Sequence, residues 1–134
     1  MNTTRAITAL FVIAALYDGA LGALFLVAPA WVYRVADVTP PNHWAYVEFP
    51  AALLVIFALM FAVIAAKPIE NRMLIPYGIL LKAAYCGIAF WYWAAEGIPG
   101  IWKPFAVVDV VMGSLFLWAF NRLATRSGAV MQAR

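Results

Sequence analysis

The chain has 134 residues, of which 67% are hydrophobic and only 11% charged, and its mean hydropathy is +0.91. Soluble domains are about half apolar and about a quarter charged, and a core of this size cannot hide the excess, so lipid must serve as solvent for much of the surface. The net charge of +3 rests on Lys and Arg scattered between apolar runs, which excludes a basic patch for nucleic acid; a single Cys and a single His exclude an intrachain disulfide framework, a Cys-based zinc site and a haem with several His or Cys ligands.

The first apolar run superficially resembles a signal peptide, with Arg5 before it and Ala28-Pro29-Ala30 after it. It extends from Ile7 to Ala28, about 22 residues, well beyond the roughly 7–15 of a signal h-region, and a proline adjoins the cut site. It is read as a retained first span. Three further runs follow, at about Tyr46–Ala66, Met73–Ala95 and Phe105–Leu123. Each is long enough for a roughly 30 Å hydrocarbon core, and continuous where a membrane strand would alternate over about 9–11 residues. The expected fold is therefore all-α: one domain of four transmembrane helices in an antiparallel bundle, with residues 124–134 as a flexible tail.

Orientation follows from the loops. Arg5, Lys67, Arg72, Arg122, Arg126 and Arg134 fall on one side, against Arg34 and Lys103 on the other. The positive-inside rule then places both termini in the cytoplasm of a multi-pass protein of the inner membrane.

Span 1 carries small residues at Ala15, Gly19 and Ala23, with Ala14 and Gly22 flanking Asp18 by four. Such rows let helices approach closely, either within one bundle or across a dimer. In the loop that follows, AWVYRVADV is expected to lie along the outer interface on Trp31 and Tyr33 until Pro40-Pro41 turns the chain. Pro50 and Pro76 fall in the first turns of spans 2 and 3, where no hydrogen bond is lost. The aromatic end of span 3, Phe90-Trp91-Tyr92-Trp93, fits the interfacial belt, with a ligand-lining role for Trp91 as the alternative. EGIPGIWKP then turns into span 4.

Each span holds one ionisable residue: Asp18, Glu48, Lys82 and Asp109. Such residues are costly in a bilayer, face the bundle interior and pair. At 1.5 Å per residue, Asp18 and Lys82 lie about 16 and about 14 Å above the cytoplasmic starts of their spans, level with each other. By the same rise Glu48 and Asp109 sit roughly 3–6 Å below the outer edge, as an outward-facing polar mouth. The central expectation is an Asp18–Lys82 pair, in which the long Lys82 stem can also reach up to one of the other acids; Tyr17 precedes Asp18, and Tyr85, one turn after Lys82, is placed to donate to a carboxylate. The pair serves either to fix helix register or to do chemistry. Cys86 is read as a buried, inert thiol and His43 as an ordinary interfacial residue, and no Walker loop, Rossmann glycine pattern, HExxH or GxSxG occurs.

With four spans, inside termini and the Gly-rich run Asp18-Gly19-Ala20-Leu21-Gly22-Ala23-Leu24-Phe25, the chain resembles the DoxX-like group of small bacterial membrane proteins. The resemblance implies a four-helix bundle and a place beside a membrane oxidoreductase that delivers electrons to quinone; it carries over no functional residue.

Three functions fit these residues. The first is a non-catalytic module, an accessory subunit or a binder of a hydrophobic molecule such as a quinone or lipid, with Glu48, Asp109, Tyr17 and Trp91 as candidate contacts. The second is a membrane-embedded enzyme that moves protons with Lys82, Asp18 and Tyr85 on an apolar substrate. The third is a small transporter or proton conduit, built as a homo-oligomer. Small size and a sparse polar inventory weigh toward the first, with the bilayer and a membrane-protein partner as its surroundings, and with no metal and quinone as the one cofactor suggested.

Overall fold

Each apolar run becomes a helix in the computed structural model, which describes residues 2–132. The first is α1, Thr3–Val27, opened by the Asn2 side chain, which accepts from the Thr4 N–H at 3.3 Å. It stops because Ala28 precedes a proline, and a residue in that position is pushed out of the helical region. Pro29 then starts a short α2, Pro29–Val35, as proline does at a first helical position. Asp37 follows with a positive φ of 52° and ends that turn. The second long helix, α3, covers Ala45–Ala66. His43 sits just before it, with Nδ1 accepting the Ala45 N–H at 3.1 Å, so its role is to cap a helix.

At the other end of α3, Asn71 Nδ2 donates to the Val63 carbonyl at 3.0 Å, adding a second donor to an acceptor that also takes the Lys67 N–H at 3.4 Å. A 3-10 turn at Arg72–Leu74 leads into α4, Ile75–Ala95, and Gly97, with φ of 81°, reverses the chain after it. The last helix, α5, spans Trp102–Gln132. It starts three residues earlier than the sequence suggested and continues as helix through residues 124–132, which the sequence reading gave to a flexible tail. That stretch contains no proline to stop it. Residues 133–134 of the expected tail lie outside the described residues.

Four of these helices are long and apolar enough to cross a membrane: Thr3–Val27, Ala45–Ala66, Arg72–Ala95 and Trp102–Thr125. Their outer faces agree, since Leu16, Leu59, Leu80 and Val111 are all more than half exposed and have only lipid to meet. For reference, the end that carries Thr3, Ala66 and Ile75 is called the lower end, and the end that carries Val27, Ala45, Ala95 and Trp102 the upper.

The bundle is built from two tight hairpins. In the first, α1 lies against α3 through glycine. A Cβ on Gly22 would stand 2.7 Å from the Ala51 carbonyl oxygen, closer than real atoms approach, and one on Gly19 would stand 3.3 Å from Ala58 Cβ. The small-residue row of span 1 thus serves packing within the chain. In the second hairpin α4 lies against α5, with Gly113 beside the stem of Lys82.

The hairpins meet firmly only in the lower half. Phe11 stacks on Phe116 with centroids 4.7 Å apart, and Phe61 tilts against Phe116 at 5.1 Å. All three rings are fully buried, together with Ile7, Ile64, Ile75 and Leu123. In the upper half a smaller cluster of Phe25, Val32 and Ala51, flanked by Tyr33 and Trp102, closes the top, and the hairpins stand apart beneath it.

Pro50 is inside α3 rather than in its first turn, because the helix starts at Ala45. Its ring removes the N–H that would bond the carbonyl of Tyr46, and both residues border the space between the hairpins, where such an irregularity is tolerated.

Candidate functional site

Helical periodicity brings the ionisable residues together. On α1 the buried stripe is Ile7, Phe11, Ala14, Asp18, Gly22 and Phe25, at three- and four-residue steps. On α4 it is Ile75, Gly78, Lys82, Cys86 and Ala89. On α5 it passes through Ala106, Asp109, Met112, Phe116 and Ala119. Each charge therefore points where its neighbours on the stripe point, into the bundle.

There they meet. Lys82 Nζ donates to both oxygens of Asp18, at 2.7 and 2.9 Å. It also lies 2.9 Å from Asp109 Oδ1, an ionic contact whose angle does not make a hydrogen bond. Asp18 and Lys82 are 1% exposed and Asp109 7%, so water screens none of the three. The ammonium also stands 5.5 Å from the centre of the Tyr17 ring, within range of a cation–π attraction. Burial of this kind is tolerable only where the charges compensate one another.

Above the triad lies a chamber of about 740 Å³, within the usual range of small-molecule sites. Asp18 and Asp109 line its floor and Lys82 does not. The walls are apolar or aromatic: Leu21, Leu54, Leu81, Ala84 and Ile88 alternate around it with Tyr17, Tyr85 and Phe105. Its roof is an aromatic cluster in which Trp102 stands 5.6 Å from Phe25 and 6.2 Å from Tyr33, and Tyr33 stands edge-on to Trp44 at 5.3 Å. Burial there pushes the Tyr33 phenol above its ordinary pKa, so it remains a neutral donor. Lys82 instead lines a crevice of about 260 Å³ between α4 and α5, together with Ala83, Gly113, Ser114 and Asp109.

The structure joins Asp18 to Lys82 as the depth argument expects. It places Asp109 at the triad rather than at an outer mouth. Because α5 begins at Trp102, Asp109 is seven residues into the helix, about 10 Å below its upper end. Tyr17 and Tyr85 both line the chamber. The Tyr85 hydroxyl, however, donates to the Trp102 carbonyl at 3.1 Å and ties α4 to the roof; it does not donate to a carboxylate. The Tyr17 hydroxyl is buried and has no hydrogen-bond partner.

Glu48 and Trp91 are exposed on the outside of the bundle and are not part of the chamber wall. Of that aromatic end Tyr92 lines the chamber while Trp91 does not, and the Lys103 ammonium stands 5.0 Å from the Trp93 ring. Cys86 is buried and its thiol donates to the Ala106 carbonyl at 3.4 Å. Among the described residues no three His, Cys, Asp or Glu side chains are grouped as a metal site. Sequence reasoning missed Phe105 and Trp102 as wall residues. Their steps of four and seven before Asp109 put them on its face of α5, a signal available once the helix start is known.

Fold and site together define a multi-pass helical membrane protein with an acid–ammonium–acid triad under an apolar chamber. No protein-family model, no curated protein and no solved structure matches the chain.

Proposed function

We propose that this protein is a binding module of the bilayer, which holds a lipid-soluble amphiphile in the chamber between its two hairpins. The observation that carries this reading is the joining of an apolar space of about 740 Å³ to a polar floor, with the unpartnered Tyr17 hydroxyl beside Asp18 and Asp109. Apolar walls with a few convergent polar groups are what an amphiphile needs: the walls take its body and the polar groups fix its head. The excess of Lys and Arg at the lower end puts the termini in the cytoplasm, so the chamber occupies the outer leaflet half of an inner membrane. The resemblance to the DoxX-like group would set the module beside a membrane oxidoreductase, with quinone among the molecules of suitable solubility.

The test is extraction with organic solvent and mass spectrometry of protein purified from its own membranes. Ala84 lines the chamber, and Ala84→Trp puts a bulky indole into it. A small amphiphile enriched in the parent over bulk lipid and depleted in Ala84→Trp supports the reading. Parent and variant extracts that both match bulk lipid refute it.

A further inference from the structure

The electrostatics of the chamber describe the head group of its occupant. Asp18 and Asp109 line the chamber, while Lys82 lines the crevice between α4 and α5 and reaches the two acids from that side. Among the described residues of the wall there is no Lys, Arg or His. A molecule that enters therefore meets carboxylate oxygens before it meets the ammonium.

The charge count points the same way. Two carboxylates share one ammonium, so the ionised triad carries one negative charge in excess, in a place where an uncompensated charge is costly. Lys82 gives both its hydrogen bonds to Asp18 and meets Asp109 Oδ1, in a side chain nine-tenths buried, only through an ionic contact at 2.9 Å. Asp109 is the less fully paired of the two acids.

Aromatic faces stand beside it. The Phe105 ring lies 6.4 Å from Tyr17 on one side and 6.4 Å from Trp102 on the other, all three in the chamber wall. Ring quadrupoles attract a cation, and a carboxylate among rings is the environment that holds an alkylated ammonium. A quinone or an ester would find one free donor there, the Tyr17 hydroxyl, against two carboxylates that repel its carbonyl oxygens, so it fits the floor less well than a cation.

Resting on the chamber reading, we infer that the occupant is a cationic amphiphile, an alkyl or quaternary amine whose head is held by Asp109 beside Tyr17 and Phe105 and whose tail fills the space toward Leu54 and Ile88. Excess negative charge, aromatic rings and apolar walls each match one part of such a molecule.

The test titrates the full chain in discs of zwitterionic lipid by calorimetry, with empty discs as baseline. Three amphiphiles of equal tail length are compared: decyltrimethylammonium, decanol and decanoate. The expected order places the cation first and decanoate last. Asp109→Asn keeps a neutral one-to-one pair of Asp18 with Lys82 and so keeps the protein folded, which its thermal melt checks. This variant should lose roughly tenfold to a hundredfold in affinity for the cation and little for decanol. Decanol binding as well as the cation, the result expected if Asp109 holds a proton, overturns the cationic inference while the chamber reading stands. A cation preference unchanged in Asp109→Asn overturns the assignment to Asp109. No binding of any of the three above empty discs overturns the chamber reading and this inference with it.

Discussion

Replacing Lys82 by methionine keeps the length of the side chain and removes its charge, leaving Asp18 and Asp109 facing each other in a dry site. The ammonium makes two hydrogen bonds to Asp18 and one ionic contact with Asp109, all within 2.9 Å. Without it the two acids escape repulsion by taking up one proton between them. Protonating a carboxyl of ordinary pKa near 3.9 at pH 7 costs about three pKa units, or roughly 4 kcal/mol. Removal of one partner from a buried pair independently costs about 3–5 kcal/mol. The two routes agree, and the loss is a large part of a typical total stability of about 5–15 kcal/mol. In detergent the melting temperature of Lys82→Met should fall on the order of 10–20 °C. Asp18→Asn with Lys82→Met should recover only part of this, because Asp109 keeps a charge without a counterion. The triple change that adds Asp109→Asn removes every charge and should recover most of it. If Lys82→Met melts with the parent, the three groups do not compensate one another in a buried site and the reasoning fails. If the double and triple variants recover equally, Asp109 is not part of the triad.

Packing gives further expectations. Gly22→Ala pushes a methyl into the Ala51 carbonyl 2.7 Å away, which is backbone and cannot move aside, so thermal melts should show a loss of about 1–3 kcal/mol. Gly87→Ala, on the same kind of helix but with nothing within 4 Å, should be neutral or gain up to about 1 kcal/mol from helix propensity. Tyr85→Phe removes the donor to the Trp102 carbonyl and should cost about 1 kcal/mol, seen as faster amide exchange in the loop from Gly97 to Ile101 with little change at the core. Phe116→Ala should cost about 3–5 kcal/mol because that ring joins both hairpins, whereas the exposed Trp91→Ala should stay within about 0.5 kcal/mol.

What the sequence makes legible here is what depends on distance along one helix. The rise per residue puts Asp18 and Lys82 at one level, and the three- and four-residue steps put each on the buried stripe, so their pairing follows before any packing is known. Asp109 escapes the same argument because its depth is counted from a helix start hidden in EGIPGIWKP, where prolines and glycines suggest a turn up to Phe105. A shift of three residues moves it about 4.5 Å, from an outer rim to the triad. Tyr85 fails for another reason: its angular position was read well, but the partner of its hydroxyl is a backbone carbonyl on another element, which no periodicity indicates.

The chamber depends on distances between helices, and these are set by side-chain size level by level. In the lower half the facing positions hold Phe11, Phe61 and Phe116, large enough to fill the space between hairpins. In the upper half they hold Ala51, Ala84 and Ala89, which leave it empty, and the aromatic roof of Phe25, Tyr33 and Trp102 props the hairpins apart. The triad sits where the large residues give way to small ones. That position gives its charges a double setting: below them the large rings close the bundle, and above them Asp18 and Asp109 are the only charged residues that line the chamber among the described residues. On the binding reading proposed above, such a network would serve the register of the helices and the recognition of a ligand at once, with Lys82 committed to the first and Asp109 turned toward the second.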